Sequence, residues 1–203
     1  MEQNIIYTIG RQFGSGGKEI GIKLAEKLGI KCYDRELLEL AAKDSGLCQE
    51  LFENHDEKPT NSFLYSLVMD TYSLGYSSSS YMDIPITHKV FLAQFDSIKK
   101  LAEKGPCVIV GRCADFILKD RDDCFNVFIH ADEKFKAERI VKVYGETDKS
   151  PEKRLRDKDK KRKINYKYYT DQDWGVCDNY DISLNTGTLG IDKCVDIIEE
   201  LVK

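Results

Sequence analysis

The sequence predicts an α/β fold, a parallel five-stranded sheet with helices on both faces. Short apolar runs rich in β-branched residues alternate with segments of helical periodicity, and the first run ends in a glycine cluster that opens a helix. This order gives parallel strands joined by right-handed crossovers, with ligands at their carboxyl ends. We expect the first strand at the centre of the sheet. The five predicted strands are Ile5 to Gly10, Lys31 to Asp34, Cys107 to Gly111, Phe125 to Ala131 and Asp181 to Asn185.

The first strand runs into a loop that is typical of phosphate binding. Small residues let successive main-chain N–H groups turn inward around an anion, and the following helix directs the positive end of its dipole at the same place. A lysine at the end of the loop adds a full charge. We expect the phosphates of a nucleoside triphosphate to be bound by Phe13, Gly14, Ser15, Gly16, Gly17, Lys18 and Glu19.

The loop departs from the usual nucleotide-binding pattern at two positions. Counting back from Lys18, Gln12 stands where the pattern has its first glycine. Glu19 stands where a serine or threonine normally places a hydroxyl on Mg²⁺. The alternative interpretation is a glycine-rich strand-to-helix turn that binds no ligand.

Apolar residues between the strands recur at helical spacing, and we expect them to face the core. The stripes are Ile20, Leu24 and Leu28; Phe91, Phe95, Ile98 and Ala102; Phe135, Ala137, Ile140, Val141 and Tyr144; and Ile191, Val195, Ile198 and Leu201.

Two segments interrupt the alternation. Residues from about 49 to 87 are polar and irregular, and they are predicted to be an insert, either a mobile flap or a loop-rich excursion. Residues from about 145 to 174 are rich in lysine and arginine. A charge run is usually a solvated helix face. After the fourth strand of a phosphate-binding sheet, however, we expect a cationic lid that is open or poorly ordered without ligand, hinges near Gly145 and closes over the phosphates.

Composition limits the function further. The 203 residues, 41% hydrophobic and 33% charged, predict a single domain that includes the insert and the lid. A formal net charge of −4 gives no electrostatic support to a protein that coats nucleic acid. Seven scattered cysteines without a C-x-x-C pair indicate reduced thiols rather than a zinc site. Without a membrane-length apolar run or a basic-then-apolar leader, we expect a cytoplasmic protein with no membrane partner.

The order of these pieces resembles the nucleoside monophosphate kinases, and within them the cytidylate kinase-like branch of the P-loop kinases. Beyond the glycine loop, the resemblance lies in Tyr33 to Leu38, Val110-Gly111-Arg112, Glu138-Arg139, Asp159 to Arg162 with Tyr168-Tyr169, and Tyr180 to Ile191. It spans nearly the whole chain. It implies a P-loop NTPase fold with an acceptor-binding insert and a helical lid. It also implies transfer of the γ-phosphoryl group of ATP, with Mg²⁺, to a nucleoside monophosphate, CMP or dCMP first among them.

The resemblance implies roles for particular cations. Lys18 would bridge the β- and γ-phosphates of ATP. Arg112, at the carboxyl end of the third strand, would grip the acceptor phosphate with two parallel N–H bonds; the alternative is a surface salt bridge. Candidates to close on the transferring group are Arg139 and the lid residues Arg154, Arg156 and Arg162, and the choice among the lid arginines stays open.

Carboxylates complete the predicted site. Asp34 and Asp159 are candidate substrate-binding residues, and Asp159 either reads the acceptor base or ribose or simply pairs with Arg162. In cytidylate kinases the Gly-Arg pair is commonly flanked by carboxylates, whereas Val110 and Cys113 stand in those places here. Because Mg²⁺ needs few protein ligands and keeps several waters, it has three candidate ligands in Glu19, Asp34 and Asp115.

Three other functions remain open at this stage. The chain is alternatively a P-loop kinase of another small phosphorylated or hydroxyl-bearing metabolite, or a nucleotide-binding regulator without turnover. RNA binding through the lysine-rich segment is the weakest alternative, because acidic residues interrupt the segment. The expected partners are nucleotide substrates, with neither nucleic acid nor an obligate protein partner.

Overall fold

Five strands form one parallel sheet in the order β2-β3-β1-β4-β5, with β1 in the centre. The computed structural model describes residues 5–34 and 86–201. The strands are β1 (Ile6–Arg11), β2 (Lys31–Tyr33), β3 (Cys107–Val110), β4 (Cys124–His130) and β5 (Ile182–Asn185). The predicted fold class is therefore confirmed, and each strand boundary lies within about one residue of its prediction.

Helices cover both faces of this sheet, and seven lie within the described residues. They are α1 (Gly17–Leu28), α2 (Ile86–Ala102), α3 (Ala114–Ile117), α4 (Glu133–Tyr144), α5 (Pro151–Thr170), α6 (Thr186–Leu189) and α7 (Ile191–Leu201). A 3₁₀ turn, Cys177–Asn179, precedes β5.

The central strand contributes side chains to two hydrophobic cores, because its side chains alternate between the two faces of the sheet. Ile6 belongs to the core that includes residues of α2, α3 and α5. Tyr7 and Ile9 belong to the core that includes residues of α1 and α7. The closeness of α1 to the sheet depends on Gly21, where a Cβ would lie 2.8 Å from the Cγ2 of Val110. This packing fixes the start of α1 directly beyond the end of β1.

The lysine-rich segment differs from the expected lid. Most of it forms α5, which begins at the cap residue Ser150 and buries Leu155, Tyr166 and Tyr169. The ring of Tyr169 stacks on Phe91 of α2 at a centroid distance of 3.8 Å. Because the carboxyl end of α5 is part of the core, the prediction of a segment that swings open as a whole from Gly145 does not fit this structure.

Two of the predicted apolar stripes are also only partly correct. In α4, Ile140 is fully buried, but Tyr144 is 54% exposed and stacks on Phe13. Leu201, at the end of α7, is exposed as well. Of the predicted insert, residues 49–85 lie outside the described residues. No described helix is both long and apolar enough to span a membrane.

Candidate active site

The glycine loop takes a conformation that requires its glycines. Gly14 and Gly16 have φ angles of 81° and 87°, in the left-handed region that side chains with a Cβ rarely adopt. A Cβ at Gly14 would also lie 2.8 Å from the Cγ2 of Ile140. The loop is held from within by Ser15, whose hydroxyl donates to the carbonyl of Gln12 at 2.8 Å. Thr186, the first residue of α6, also holds the loop, because its hydroxyl donates to the carbonyl of Ser15 at 2.7 Å.

Helix α1 begins without a side-chain cap. Gly16 occupies the cap position and has no side chain to accept a hydrogen bond, whereas Asp132 and Ser150 cap α4 and α5. The first N–H groups of a helix lack partners within it and carry the positive end of its dipole. The start of α1 is therefore suited to accept an anion.

Gln12 replaces the first glycine of the usual pattern, and its side chain links the loop to neighbouring segments by hydrogen bonds. Its side-chain oxygen accepts from the Nζ of Lys136 at 2.8 Å and from the main-chain N–H of Ala131 at 3.3 Å. These bonds join the loop to the end of β4 and the first turn of α4. The departure from the pattern therefore leaves a loop that the side chain of Gln12 anchors to its neighbours.

Cations and carboxylates gather where β1 and β2 end. The Nζ of Lys18 lies 2.8 Å from one oxygen of Asp34, and the Nη2 of Arg11 lies 3.8 Å from the other. Burial opposes ionisation of Asp34, but the hydrogen bond from Lys18 and the charges of Arg11 and Arg112 together hold the pKa of its carboxyl below its ordinary value. On the other side of the loop, Arg139 donates to the carboxylate of Glu19.

Two recesses open at this edge of the sheet. We call the first the loop cleft, of about 610 Å³, and it is lined chiefly by Phe13, Gly14, Gly16, Gly17, Lys18, Glu19, Asp34, Arg139 and Tyr144. We call the second the Arg112 cavity, of about 70 Å³, and it is lined chiefly by Phe91, Gln94, Arg112, Asp115, Asn165, Tyr166, Trp174 and Tyr180. Arg11 and Arg162 line both. The loop cleft is the roomier of the two, and it contains the predicted phosphate loop.

Arg112 is held by an unusual backbone. Gly111, Arg112 and Cys113 all have positive φ angles, of 77°, 61° and 54°. This turn directs Arg112 into its cavity at the carboxyl end of β3. Burial, with Arg11 nearby, lowers the pKa of the Arg112 guanidinium to about 10. The residue is therefore a cation in a confined recess rather than part of a surface salt bridge.

The structure separates the three lid arginines. Arg162 reaches the loop, where its Nη1 donates to the carbonyl of Arg11 at 3.1 Å. Arg156 is 70% exposed and faces Glu133 at 3.7 Å. Arg154 donates to the carbonyl of Gly145 at 2.7 Å. Only Arg162 among them lies at the two recesses, so Arg156 is not placed where its predicted catalytic role requires.

Asp159, a residue of α5, contacts the glycine loop. Its carboxylate accepts from the main-chain N–H of Phe13 at 2.7 Å and lies 3.5 Å from Arg162. Burial raises the pKa of the Asp159 carboxyl, although these partners oppose the rise. The predicted pairing with Arg162 is present. The predicted contact with an acceptor base is not favoured, because this carboxylate lies beside the loop rather than in the Arg112 cavity.

The three proposed Mg²⁺ ligands do not lie together. Glu19 is engaged by Arg139, and no cluster of three or more metal-binding side chains occurs in residues 5–34 and 86–201. Asp115 accepts from the hydroxyl of Tyr166 at 2.6 Å, and burial raises the pKa of its carboxyl. A buried acid that resists ionisation does not fit a metal ligand. Asp34, beside the loop, fits a cation that is held mainly by phosphates and water.

Sequence reasoning missed several residues of these recesses. The sequence patterns assign no role to Arg11, although it is the last residue of the central strand and a polar residue at that position is itself a signal of a ligand site. Gln94, Asn165 and Tyr180 approach the Arg112 cavity from three separate segments of the chain. No local pattern joins these three residues, so only the folded chain shows them together.

The chain belongs to the cytidylate kinase-like family, because the model of that family matches residues 6–188. A cytidylate kinase from Archaeoglobus fulgidus is 29% identical over 203 residues, which cover 97% of this chain and 93% of that protein. The predicted resemblance is confirmed. The family is one of kinases, which implies the use of ATP.

Solved structures agree on the fold. An uncharacterized protein from Eubacterium ventriosum has a TM-score of 0.72 and 30% identity, with 98% of each chain covered. A shikimate kinase from Acinetobacter baumannii has a TM-score of 0.52 at 15% identity, with 99% of this chain and 93% of that chain covered. A gluconokinase from Sinorhizobium meliloti has a TM-score of 0.53 at 15% identity, with 100% of this chain and 95% of that chain covered. At that identity, the two kinases show the P-loop kinase fold alone.

Proposed function

We propose that this member of the cytidylate kinase-like family transfers the γ-phosphoryl group of ATP to the phosphate of a nucleoside monophosphate, CMP or dCMP first among them. The products are ADP and the nucleoside diphosphate. One observation carries the proposal: a phosphate loop lines one recess, Arg112 lines another, and the two recesses share Arg11 and Arg162. Transfer between two polyanions needs this arrangement of separate sites with cations between them.

ATP would occupy the loop cleft. Main-chain N–H groups of the loop and of the first turn of α1 would hold its β-phosphate, and Lys18 would turn from Asp34 to the β- and γ-phosphates. Mg²⁺ bound with ATP would neutralise part of the phosphate charge, and Asp34 would hold it, directly or through water. Arg139 lies at the same cleft and would leave Glu19 for the donor as ATP enters.

The acceptor phosphate would lie against Arg112. An oxygen of that phosphate attacks the γ-phosphorus, the bond between this phosphorus and the β,γ-bridging oxygen breaks, and the electron pair leaves with ADP. No general base is required, because the attacking oxygen is already ionised. Helix α5 would exclude water from the site of transfer. Its residues Asp159 and Arg162 contact the segment around the glycine loop and would hold the helix there.

A second candidate is a kinase whose acceptor is a hydroxyl group of a small metabolite. Asp115 favours it, because a hydroxyl acceptor needs a base and this carboxyl lines the Arg112 cavity. The hydrogen bond from Tyr166 and the raised pKa of Asp115 speak against a strongly basic carboxylate at neutral pH. We therefore place this candidate second.

The test is ADP release from ATP and Mg²⁺ against a panel of nucleoside monophosphates, with shikimate and gluconate as hydroxyl-bearing controls. We expect turnover with CMP or dCMP, and a Lys18→Ala variant should lose most of it. Lys104→Ala, outside both recesses, is the matched control and should behave as the wild type. ADP release that is independent of every acceptor, or that appears only with a hydroxyl compound, would refute the monophosphate kinase.

A further inference from the structure

We propose that Arg11 is a further phosphate-binding residue, placed to hold the γ-phosphoryl group between donor and acceptor. This inference rests on the proposed function, because it assigns a residue to the same transfer. Arg11 ends the central strand and directly precedes the segment that turns into the glycine loop.

The side chain of Arg11 occupies space that is free because residues 17 and 111 are glycines. A Cβ at Gly111 would overlap the Nη1 of Arg11. A Cβ at Gly17 would lie 2.5 Å from the Cβ of Arg11. Non-bonded carbon and nitrogen atoms do not approach so closely, so this side-chain position needs glycine both at the end of β3 and in the first turn of α1.

The side chain of Arg11 ends where the two recesses meet. In the transfer, the γ-phosphorus must lie in line between the leaving oxygen of ADP and the attacking oxygen of the acceptor. If ATP lies in the loop cleft and the acceptor lies against Arg112, this phosphorus lies at the wall that both recesses share. Arg11 and Arg162 form that wall, and the Nη1 of Arg162 is bonded to the carbonyl of Arg11.

The electrostatic surroundings of Arg11 suit a phosphate. Its side chain is 19% exposed, compared with 54% for Lys18, so water screens its charge less. Arg11 contributes to the lowered pKa of Arg112, which indicates that the two guanidinium groups are near each other. Negative charge bound at Arg11 would offset this repulsion, and a planar guanidinium can give a phosphate two parallel N–H bonds. Asp34 holds Arg11 in place from the other side.

Nucleotide affinity tests the inference without any acceptor. We would titrate the full chain with ATP and with ADP, each with Mg²⁺, in the wild type, Arg11→Gln and Arg11→Lys. Arg11→Gln should weaken ATP binding about tenfold or more and change ADP binding less than about threefold, since only ATP has the γ-phosphate. Arg11→Lys should lie between them. Arg121→Gln, which removes a surface arginine paired with Asp123, should bind both nucleotides as the wild type does.

A second variant displaces the guanidinium without removing it. Gly111→Ala places a methyl group against the Nη1 of Arg11, and it should cause the same selective loss of ATP affinity. Because Gly111 has a φ angle of 77°, the variant should also lose unfolding free energy, which urea denaturation measures separately from nucleotide affinity. The double variant Arg11→Gln with Gly111→Ala should be no worse for ATP than Arg11→Gln alone, because both changes act on one group. Where Arg11→Gln does not fold, Arg11→Lys and Gly111→Ala carry the test.

An unchanged ratio of ATP to ADP affinity in a folded Arg11→Gln protein would overturn the inference, as would fully additive losses in the double variant. The two failures are distinguishable. If no monophosphate accepts a phosphoryl group but Arg11→Gln loses its ATP preference, the proposed function fails and the inference stands. If CMP is phosphorylated and the ATP preference survives in Arg11→Gln, the inference alone fails.

Discussion

The loop cleft and the Arg112 cavity are built from different parts of the chain. The phosphate-binding part of the cleft consists of main-chain groups, positive φ angles and an uncapped helix start, all within one short segment. The cavity is lined chiefly by side chains from the turn after β3, from α2, α3 and α5, and from the segment before β5. Under the proposed function, the first arrangement would recognise phosphate and little else, whereas the second would select the acceptor. Variants of the two regions should therefore differ in which ligand they lose.

The largest loss of ligand affinity is expected for Gly14→Ala, because this variant changes the main chain of the phosphate loop itself. The added methyl group would meet Ile140 and the carbonyl of Lys136, and the positive φ angle would be strained. We expect ATP affinity to fall roughly 100-fold, since strain and displacement of the loop together cost on the order of 3 kcal/mol. Calorimetric titration with ATP measures this loss.

Gly29→Ala is the control for Gly14→Ala. Gly29 also has a positive φ angle, of 67°, but no atom lies within 4 Å of its would-be Cβ. This variant should lose about 1 kcal/mol of unfolding free energy and bind ATP normally. Equal losses of ATP affinity in the two variants would mean that loop geometry is not what binds ATP.

Arg112→Ala should separate the two regions most clearly. Loss of the buried guanidinium should lower kcat/KM for the acceptor roughly 100-fold, because this charge would meet only the acceptor phosphate. ATP affinity should change less than about threefold. Steady-state kinetics with each substrate varied, together with ATP titration, measure both quantities. A loss confined to ATP binding would assign Arg112 to the donor instead.

Arg162→Gln and Arg156→Gln form a matched pair on one helix. Arg162 lies on the wall shared by the recesses, whereas Arg156 is exposed beside Glu133. We expect kcat to fall about tenfold or more for Arg162→Gln and less than about twofold for Arg156→Gln, since an exposed ion pair contributes little. Comparable losses in the two variants would show that α5 rearranges so that Arg156 also reaches the phosphates.

The smallest expected effect is the pH dependence that Asp34 gives to the free energy of unfolding. The folded protein holds the pKa of this carboxyl below its unfolded value of about 3.8, so its charge stabilises the fold above about pH 4. That contribution is lost as the pH falls through the lower, folded-state pKa. The wild type should therefore exceed Asp34→Asn in unfolding free energy at pH 5 to 7, and the difference should shrink toward about pH 2 to 3. Urea denaturation across this range provides the measurement, and a difference that grows in acid would contradict the sign.

The cleft was largely predictable from sequence, because its information is local. The run of Gly14, Gly16 and Gly17 before Lys18 specifies a backbone shape, and strand periodicity places that shape at the sheet edge. Of the cavity, sequence marked Arg112, Arg162 and Asp115, the last only as a candidate metal ligand, and it did not bring the three together. The lysine-rich segment shows why the rest failed. Charge density predicts its exposed lysines correctly, but Tyr166 and Tyr169 are buried by partners from distant segments that no local pattern reveals.

Phosphorus NMR of ATP, Mg²⁺ and CMP with the wild-type protein tests the central proposal most directly, because it identifies the bond that forms. We predict that the γ-phosphate resonance of ATP declines while the resonances of ADP and of a pyrimidine nucleoside diphosphate grow in equal amounts. The Arg112→Ala protein should show little of this change in the same time while still binding ATP. Release of inorganic phosphate alone, or an unchanged spectrum with CMP, dCMP and every other nucleoside monophosphate, would contradict transfer between the two recesses.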